Sequence, residues 1–254
     1  MRYLITAFCT NFKLSVALKI SFLITLLIVL VKQALFLVAW KFFFAKYHTV
    51  HGWDFKEMLL MYGIVSFGIG FVEIFFYGLR EIPRLIETHQ LDVYLLQPKN
   101  LILNIAMSKG EITSLGEVIL GILLISYSGY LFSAAIILIL LLAIVFIFSL
   151  YLYLSSIRFF VPNGTNFVRE LYQNANIVAT QPNSAYRGLF KIFTMTLLPT
   201  AFISFYPIEF LRTGLLENLL FATLGTFAFF AGAQFLFKLG LKYYESGNNI
   251  VHRY

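Results

Sequence analysis

The sequence predicts an all-α integral membrane protein: six transmembrane helices, an N-terminal interfacial helix and a short cytosolic helix between spans 2 and 3. Three observations carry this expectation. Hydrophobic residues make up 60% of the 254-residue chain, charged residues only 12%, and mean hydropathy is +0.83, which excludes a soluble globular domain. The apolar residues are gathered into segments of about 20 residues or more, the length a helix needs to cross the hydrocarbon layer. Between two of these segments lies a charged, helix-compatible island, 78–98, GLREIPRLIETHQLDVYLLQP.

Taken in order, residues 1–20 place Leu4, Ile5, Phe8, Phe12 and Val16 on one side of a helical wheel, opposite Arg2, Thr6, Thr10 and Lys13. That suits a helix lying in the interface plane; polar residues interrupt the stretch, and no signal-peptide cleavage site is read. The predicted spans are 21–44, 57–79, 101–126, 131–157, 188–206 and 215–241. The fifth contains Pro199 and ends at Pro207, which fits a kinked span or a re-entrant segment packed against protein. In the island, Ile82, Leu85, Ile86 and His89 follow the helical i, i+3, i+4, i+7 spacing, with Arg80, Glu81, Arg84 and Glu87 largely off that stripe. The pattern reads as an amphipathic docking helix tied to two spans. The connection 158–187 carries Pro162, Gly164, Pro182 and several Asn, a loop composition within which 167–177 can form an interfacial helix. No repeat or low-complexity segment divides the chain, so 1–254 is read as one domain.

The formal charge of +7 comes from basic residues scattered along membrane-flanking segments, not massed on one stripe, and does not point to nucleic acid. It orients the chain instead, because Lys and Arg accumulate in cytoplasmic loops. With the N-terminus inside, most of the 19 Lys and Arg lie on the cytosolic side, and Lys41, Lys46, Lys56 and Arg212 lie opposite. Both termini are then cytosolic. The Asn163-Gly164-Thr165 sequon falls on the cytosolic side and is read as chance. The single cysteine, Cys9, excludes an intrachain disulfide and a thiolate metal cluster.

Ionisable residues within spans cost about 2.5–3.5 kcal/mol each to insert and so seek partners, water or protein. Lys32, Glu73, Glu111 and Glu117 are in this position. Lys32 lies roughly 16 Å into the first span at the helical rise, near mid-membrane. A Lys32–Glu117 ion pair is expected in preference to a substrate contact, whereas Glu73, nearer the cytosolic end, is expected to snorkel or hydrogen-bond. His48 and His51 with Asp54 could in principle ligate a metal, but without a zinc signature they read as a solvated external loop, and no metal or cofactor site is assigned. Ser66-x-x-x-Gly70, Gly110-x-x-x-Ser114 and Ala228-x-x-x-Gly232 would let helices approach closely. No G-x-x-x-x-G-K-[ST] phosphate loop occurs, so the chain is not an ATPase of that type.

Two motifs carry a resemblance. The run Ile86-x-x-x-x-Leu91-Asp92-x-x-Leu95-Leu96-x-Pro98 resembles the I-x-x-G-x-L-D-x-x-L-L-x-P signature of permease subunits in the ABC-2 exporter superfamily, specifically its compact six-span group. Pro199-Thr200-Ala201-Phe202-x-x-x-Tyr206-Pro207 is similar to that group's late P-x-A-F-x-x-x-Y-P segment, and length and hydropathy agree along the chain. The departure is at His89, where the family has glycine. The resemblance implies a permease subunit in a bacterial or archaeal cytoplasmic membrane, moving an unidentified substrate, in all expectation outward, by alternating access. It implies a separate ABC ATPase that binds ATP and Mg²⁺, a second permease copy or a related permease, and surrounding membrane lipid. Docking of the ATPase would fall on Arg80, Ile82, Arg84, Leu85, Ile86, Glu87, His89 and Asp92, with Ile82, Leu85 and Ile86 giving apolar contacts and Arg84, Glu87 and Asp92 setting register. Two other readings compete: an ion-coupled secondary transporter using Lys32, Glu73 and Glu117, and an intramembrane enzyme built on His48, His51 and Asp54. Dependence on a partner ATPase separates the first reading from both.

Overall fold

A computed structural model describes residues 19–47, 49, 52–180, 188 and 198–246. Every element among them is helical. In chain order they are α1 (Lys19–Tyr47), α2 (Phe55–Phe76), α3 (Gly78–Glu87), α4 (Leu91–Leu95), α5 (Leu101–Ala106) and α6 (Leu115–Ser128). Then come α7 (Ile136–Ser156), α8 (Thr165–Ala179), α9 (Ala201–Thr213) and α10 (Leu216–Leu241). Single 3₁₀ turns, Ile112–Ser114 and Ile157–Phe159, precede α6 and follow α7. The expected N-terminal interfacial helix, 1–20, falls almost wholly outside the described residues.

Among the described residues, four helices are long and apolar enough to cross a membrane: the Leu27–Tyr47 part of α1, α2, α7 with its 3₁₀ extension, and α10. They correspond to predicted spans 1, 2, 4 and 6. Residues 189–197 of predicted span 5 lie outside the described residues, but α9 starts after Pro199 and runs through Pro207 to Thr213. Gly214 then turns the chain in the left-handed region (φ 71°) into α10.

Predicted span 3, 101–126, is corrected. It is not one helix: α5 ends at Ala106, the chain breaks across 107–111, and the apolar helix resumes over Ile112–Ser128. The cause is a polar run, Ser108-Lys109-Gly110-Glu111, whose backbone joins the end of α2 instead of its own helix. Glu111 N–H donates to the Glu73 carbonyl (2.9 Å), and the Lys109 carbonyl accepts from Gly78 N–H (3.2 Å). The Glu111 side chain caps the next turn, accepting from Thr113 Oγ1 (2.6 Å).

The helix α2 is the central column, with most of its length buried, and α6 and α7 pack on two sides of it. Glycine permits this closeness. A Cβ on Gly63 would stand 2.9 Å from the Gly121 carbonyl, one on Gly121 would stand 2.7 Å from the Gly63 carbonyl, and one on Gly70 would stand 2.8 Å from the Ser114 carbonyl. Further along the same antiparallel seam, Gly110 sits against the Ile74 carbonyl and Gly78 against the Ile105 carbonyl. The patches Ser66/Gly70 and Gly110/Ser114 thus meet each other across α2 and α6. On another side, Gly68 admits Ala143 of α7. The late motif packs α9 on α10: the Phe202 ring covers Gly225 and stacks on Tyr206 (centroids 5.8 Å). By contrast α1 and α10 are peripheral, exposing Leu27, Ile28, Leu35, Phe42, Leu220, Leu224 and Phe235 to the surroundings. That is how helices facing lipid differ from a soluble bundle.

If backbone contact at the seam fixes this end of the bundle, Gly78→Ala should destabilise by about 1–3 kcal/mol, the usual cost of forcing atoms into a packed site. Gly232→Ala, where nothing lies within 4 Å of the added carbon, should be near neutral. Unfolding of both variants in detergent micelles measures this, and equal stability would contradict the close-approach account.

Candidate functional site

The candidate site is the end of the bundle where α2 passes into α3. Tyr77 separates the two helices but keeps helical dihedrals (φ −56°, ψ −26°), so the turn into α3 is short and stiff. Pro83 inside α3 has no N–H to donate to the Leu79 carbonyl four residues back. That freed carbonyl accepts from Ser155 Oγ of α7 instead (2.7 Å), and Ser155 also meets the Tyr172 hydroxyl of α8. Thr165 Oγ1 at the start of α8 reaches the Pro83 carbonyl (3.4 Å). The defect in one helix is therefore the joint to two others.

At the centre Arg80 of α3 forms an ion pair with the buried Glu73 of α2. Glu73 also accepts from Ser114 Oγ in the 3₁₀ turn before α6 (2.7 Å) and from the Tyr151 hydroxyl of α7 (3.1 Å), and Tyr151 in turn accepts from Asn176 Nδ2 of α8 (3.1 Å). The guanidinium lies over three rings, Tyr77, Tyr151 and Tyr172, at 5.3, 5.7 and 5.2 Å from their centroids. Cation–π contacts of this kind contribute about 0.5–2 kcal/mol each. Burial, the largest single influence, works against the charge on Arg80, but Glu73 together with Tyr151, Tyr77 and Tyr172 outweighs it and holds the guanidinium protonated above its ordinary range. Nearby, burial opposes ionisation of Glu81 while hydrogen bonds from Arg84 (2.8 Å) and Lys109 (2.9 Å) prevail, keeping its carboxyl below the usual range.

This geometry corrects several expectations. Ile82 is 0% exposed, and Leu85 and Ile86 are also buried within this chain, so they are core residues and not an apolar surface for a partner. The amphipathic stripe is real, but it docks onto α7 and α5 of the same subunit. Arg80 likewise points inward. Asp92 accepts from Ser246 Oγ (2.7 Å), tying the segment after α10 to the signature run. The outward face of this region carries Arg84, Glu87, Val93, Leu95 and Leu96, the last 86% exposed. His89 takes the left-handed conformation (φ 55°), so the backbone shape that glycine serves in the family is kept here at the cost of a side chain in that region, roughly 1–2 kcal/mol.

The expected Lys32–Glu117 pair is also corrected. Glu117 accepts from Gln33 Nε2 (2.6 Å), Gln33 accepts from the Tyr62 hydroxyl, and Lys32 is exposed on α1 without an ion pair among the described residues. A neutral amide one position on faces inward where the cation does not, because adjacent helical residues point about 100° apart. Asp54 caps α2, exchanging hydrogen bonds with Glu57 (2.7 and 2.9 Å), while His48 and His51 lie outside the described residues. Of the residues that build the α2–α3 joint, sequence reasoning missed Tyr77, Tyr151, Ser155, Tyr172 and Asn176, and read Ser114 only as a small packing residue. Their one available signal was polarity within or beside apolar runs.

A helical bundle with long apolar spans and a short amphipathic helix keyed into its end defines a multi-pass membrane protein. Residues 30–247 match the family model described as ABC-2 family transporter protein, and the chain belongs to that family. It is thus the membrane permease component of an ABC transporter, a class that works with ABC ATPase partners and is not itself the ATPase. No curated protein and no solved structure matches it.

Two double-mutant cycles test the joint. Arg80→Met should cost about 3–5 kcal/mol by stranding the Glu73 carboxylate, and Arg80→Met with Glu73→Gln should recover a substantial part of that loss. Ser155→Ala should cost about 1 kcal/mol in the native background and less beside Pro83→Ala, which restores the internal helical bond. Additive losses in micelle unfolding would show that either pair is uncoupled.

Proposed function

We propose that the chain is the permease half of an ATP-driven exporter, with α3 receiving the stroke of a separate ABC ATPase that binds ATP and Mg²⁺. The observation that carries this is the Glu73–Arg80 joint: one short helix is bonded to α2, α7 and α8 on its inner face and is charged and open on its outer face. A push on the outer face would move the bundle as a unit instead of bending a loop. The α3 end is taken as cytosolic, in a bacterial or archaeal cytoplasmic membrane with both termini inside; the clustering of Arg80, Arg84, Lys99, Lys109, Arg158 and Arg169 there supports this. Export and alternating access rest on the resemblance to the exporter superfamily, and a second permease copy or a related permease completes the translocation path. The substrate is unassigned.

The docking surface is Arg84, Glu87 and Leu96, with His89 and Asp92 shaping the turn between α3 and α4. Arg84→Glu combined with Leu96→Asp should abolish co-purification of the partner ABC ATPase and lower transport-linked ATP hydrolysis about tenfold, the scale of a disrupted interface hot spot. Glu87→Ala at the rim should do less. Ile82→Asp should instead lose folded protein, since Ile82 is core. Retained assembly in the Arg84/Leu96 variant would place the docking surface elsewhere.

A further inference from the structure

Beside the joint, α3 and α8 leave a cleft of about 190 Å³ whose lining includes Arg80, Arg84, Thr165, Arg169 and Gln173. Its lining is predominantly basic: Arg80, Arg84 and Arg169 stand against one lining carboxylate, Glu81, which already pairs with Arg84 and Lys109, while Arg80 pairs with Glu73. Arg169 is exposed and has no ion pair among the described residues. The cleft also offers the exposed Gln173 amide, a neutral donor that hydrogen-bonds an anion without cancelling it. Guanidinium forks with such a donor suit a tetrahedral oxyanion.

Position narrows the source of that anion. The cleft lies where α2 ends at Phe76 and where the apolar run of α7 gives way at Ile157–Phe159, with Phe160 and Phe167 exposing rings at the same end. This is the level of the lipid headgroups, and basic pockets beside spans on the cytoplasmic side take anionic headgroups. We propose that the α3–α8 cleft binds the phosphate of an anionic phospholipid of the cytosolic leaflet, seating it between Arg84 and Arg169. The proposal rests on the cytosolic placement of the α3 end. A lipid so held would bridge the outer edge of the coupling helix to α8.

The test uses the purified full chain in mixed micelles of equimolar phosphatidylglycerol and phosphatidylcholine, with retained lipid counted by native mass spectrometry. Wild type should retain phosphatidylglycerol preferentially, and Arg84→Gln and Arg169→Gln should each reduce that preference about fivefold, the effect of one basic residue at an anionic surface. Lys238→Gln, on α10 and outside the cleft lining, should leave the preference intact, and Arg169→Lys should restore most of it. Unfolding curves of the exposed-site variants confirm that each remains folded. Inorganic phosphate at the lipid concentration should not displace the lipid; displacement would assign the cleft to free phosphate and overturn the lipid proposal. Unchanged lipid retention in both Gln variants would overturn it too, and if Arg169→Gln, outside the proposed docking surface, also lost the ATPase, the cleft would be a seat for an acidic protein partner. Co-purification of the ATPase with wild type is read separately, so failure of the lipid proposal is distinguishable from failure of the transporter reading.

Discussion

The Glu73–Arg80 ion pair is the constraint on which this end of the protein depends. A carboxylate near the end of a buried helix is costly unless it is paired and its remaining lone pairs are satisfied. Arg80 can pair with it only because α3 begins immediately after α2, seven residues on, with one tyrosine between the helices. Ser114 and Tyr151 complete the shell from the turn before α6 and from α7, and Asn176 holds Tyr151 from α8. Satisfying one charge thus fixes the relative placement of five helices. Three tyrosine rings around the guanidinium add to that and exclude alternative partners.

The break in the apolar segment 101–126 follows from the same requirement. For Ser114 to reach Glu73, the chain must cross beneath the end of α2, and a continuous helix from Leu101 would carry it past. The crossing is made by Lys109-Gly110-Glu111, with Gly110 against the Ile74 carbonyl and Glu111 N–H on the Glu73 carbonyl. The glycine-lined seam of Gly63, Gly70 and Gly121 then holds α6 close enough for the hydroxyl to arrive. Packing without side chains and bonding to a buried charge are two halves of one arrangement.

In the proposed reading α3 receives the work of a separate ATPase, and a surface element transmits work only if it does not yield. Helix α3 meets this condition unusually for a ten-residue helix. Its proline would ordinarily weaken it, yet the exposed carbonyl is taken up by Ser155, and the apolar stripe of Ile82, Leu85 and Ile86 is used for attachment to its own bundle. The outer face is left with charge and with the exposed Leu96, features that suit a contact made and remade with a separate protein.

The sequence by itself determined the class of the protein: apolar segments of bilayer length, a charged amphipathic island between two of them, and two motifs shared with ABC-2 permeases. These are local patterns, governed by the cost of placing backbone and charge in hydrocarbon, and they survive without knowledge of what packs on what. It also located Glu73 and the glycine patches. Only the tertiary structure decided which side of the island faces inward, that Glu117 meets Gln33 and not Lys32, and that 101–126 is broken. Each of those turns on a partner distant in the chain, and a residue's spacing reveals that it has a buried face but not what it is buried against.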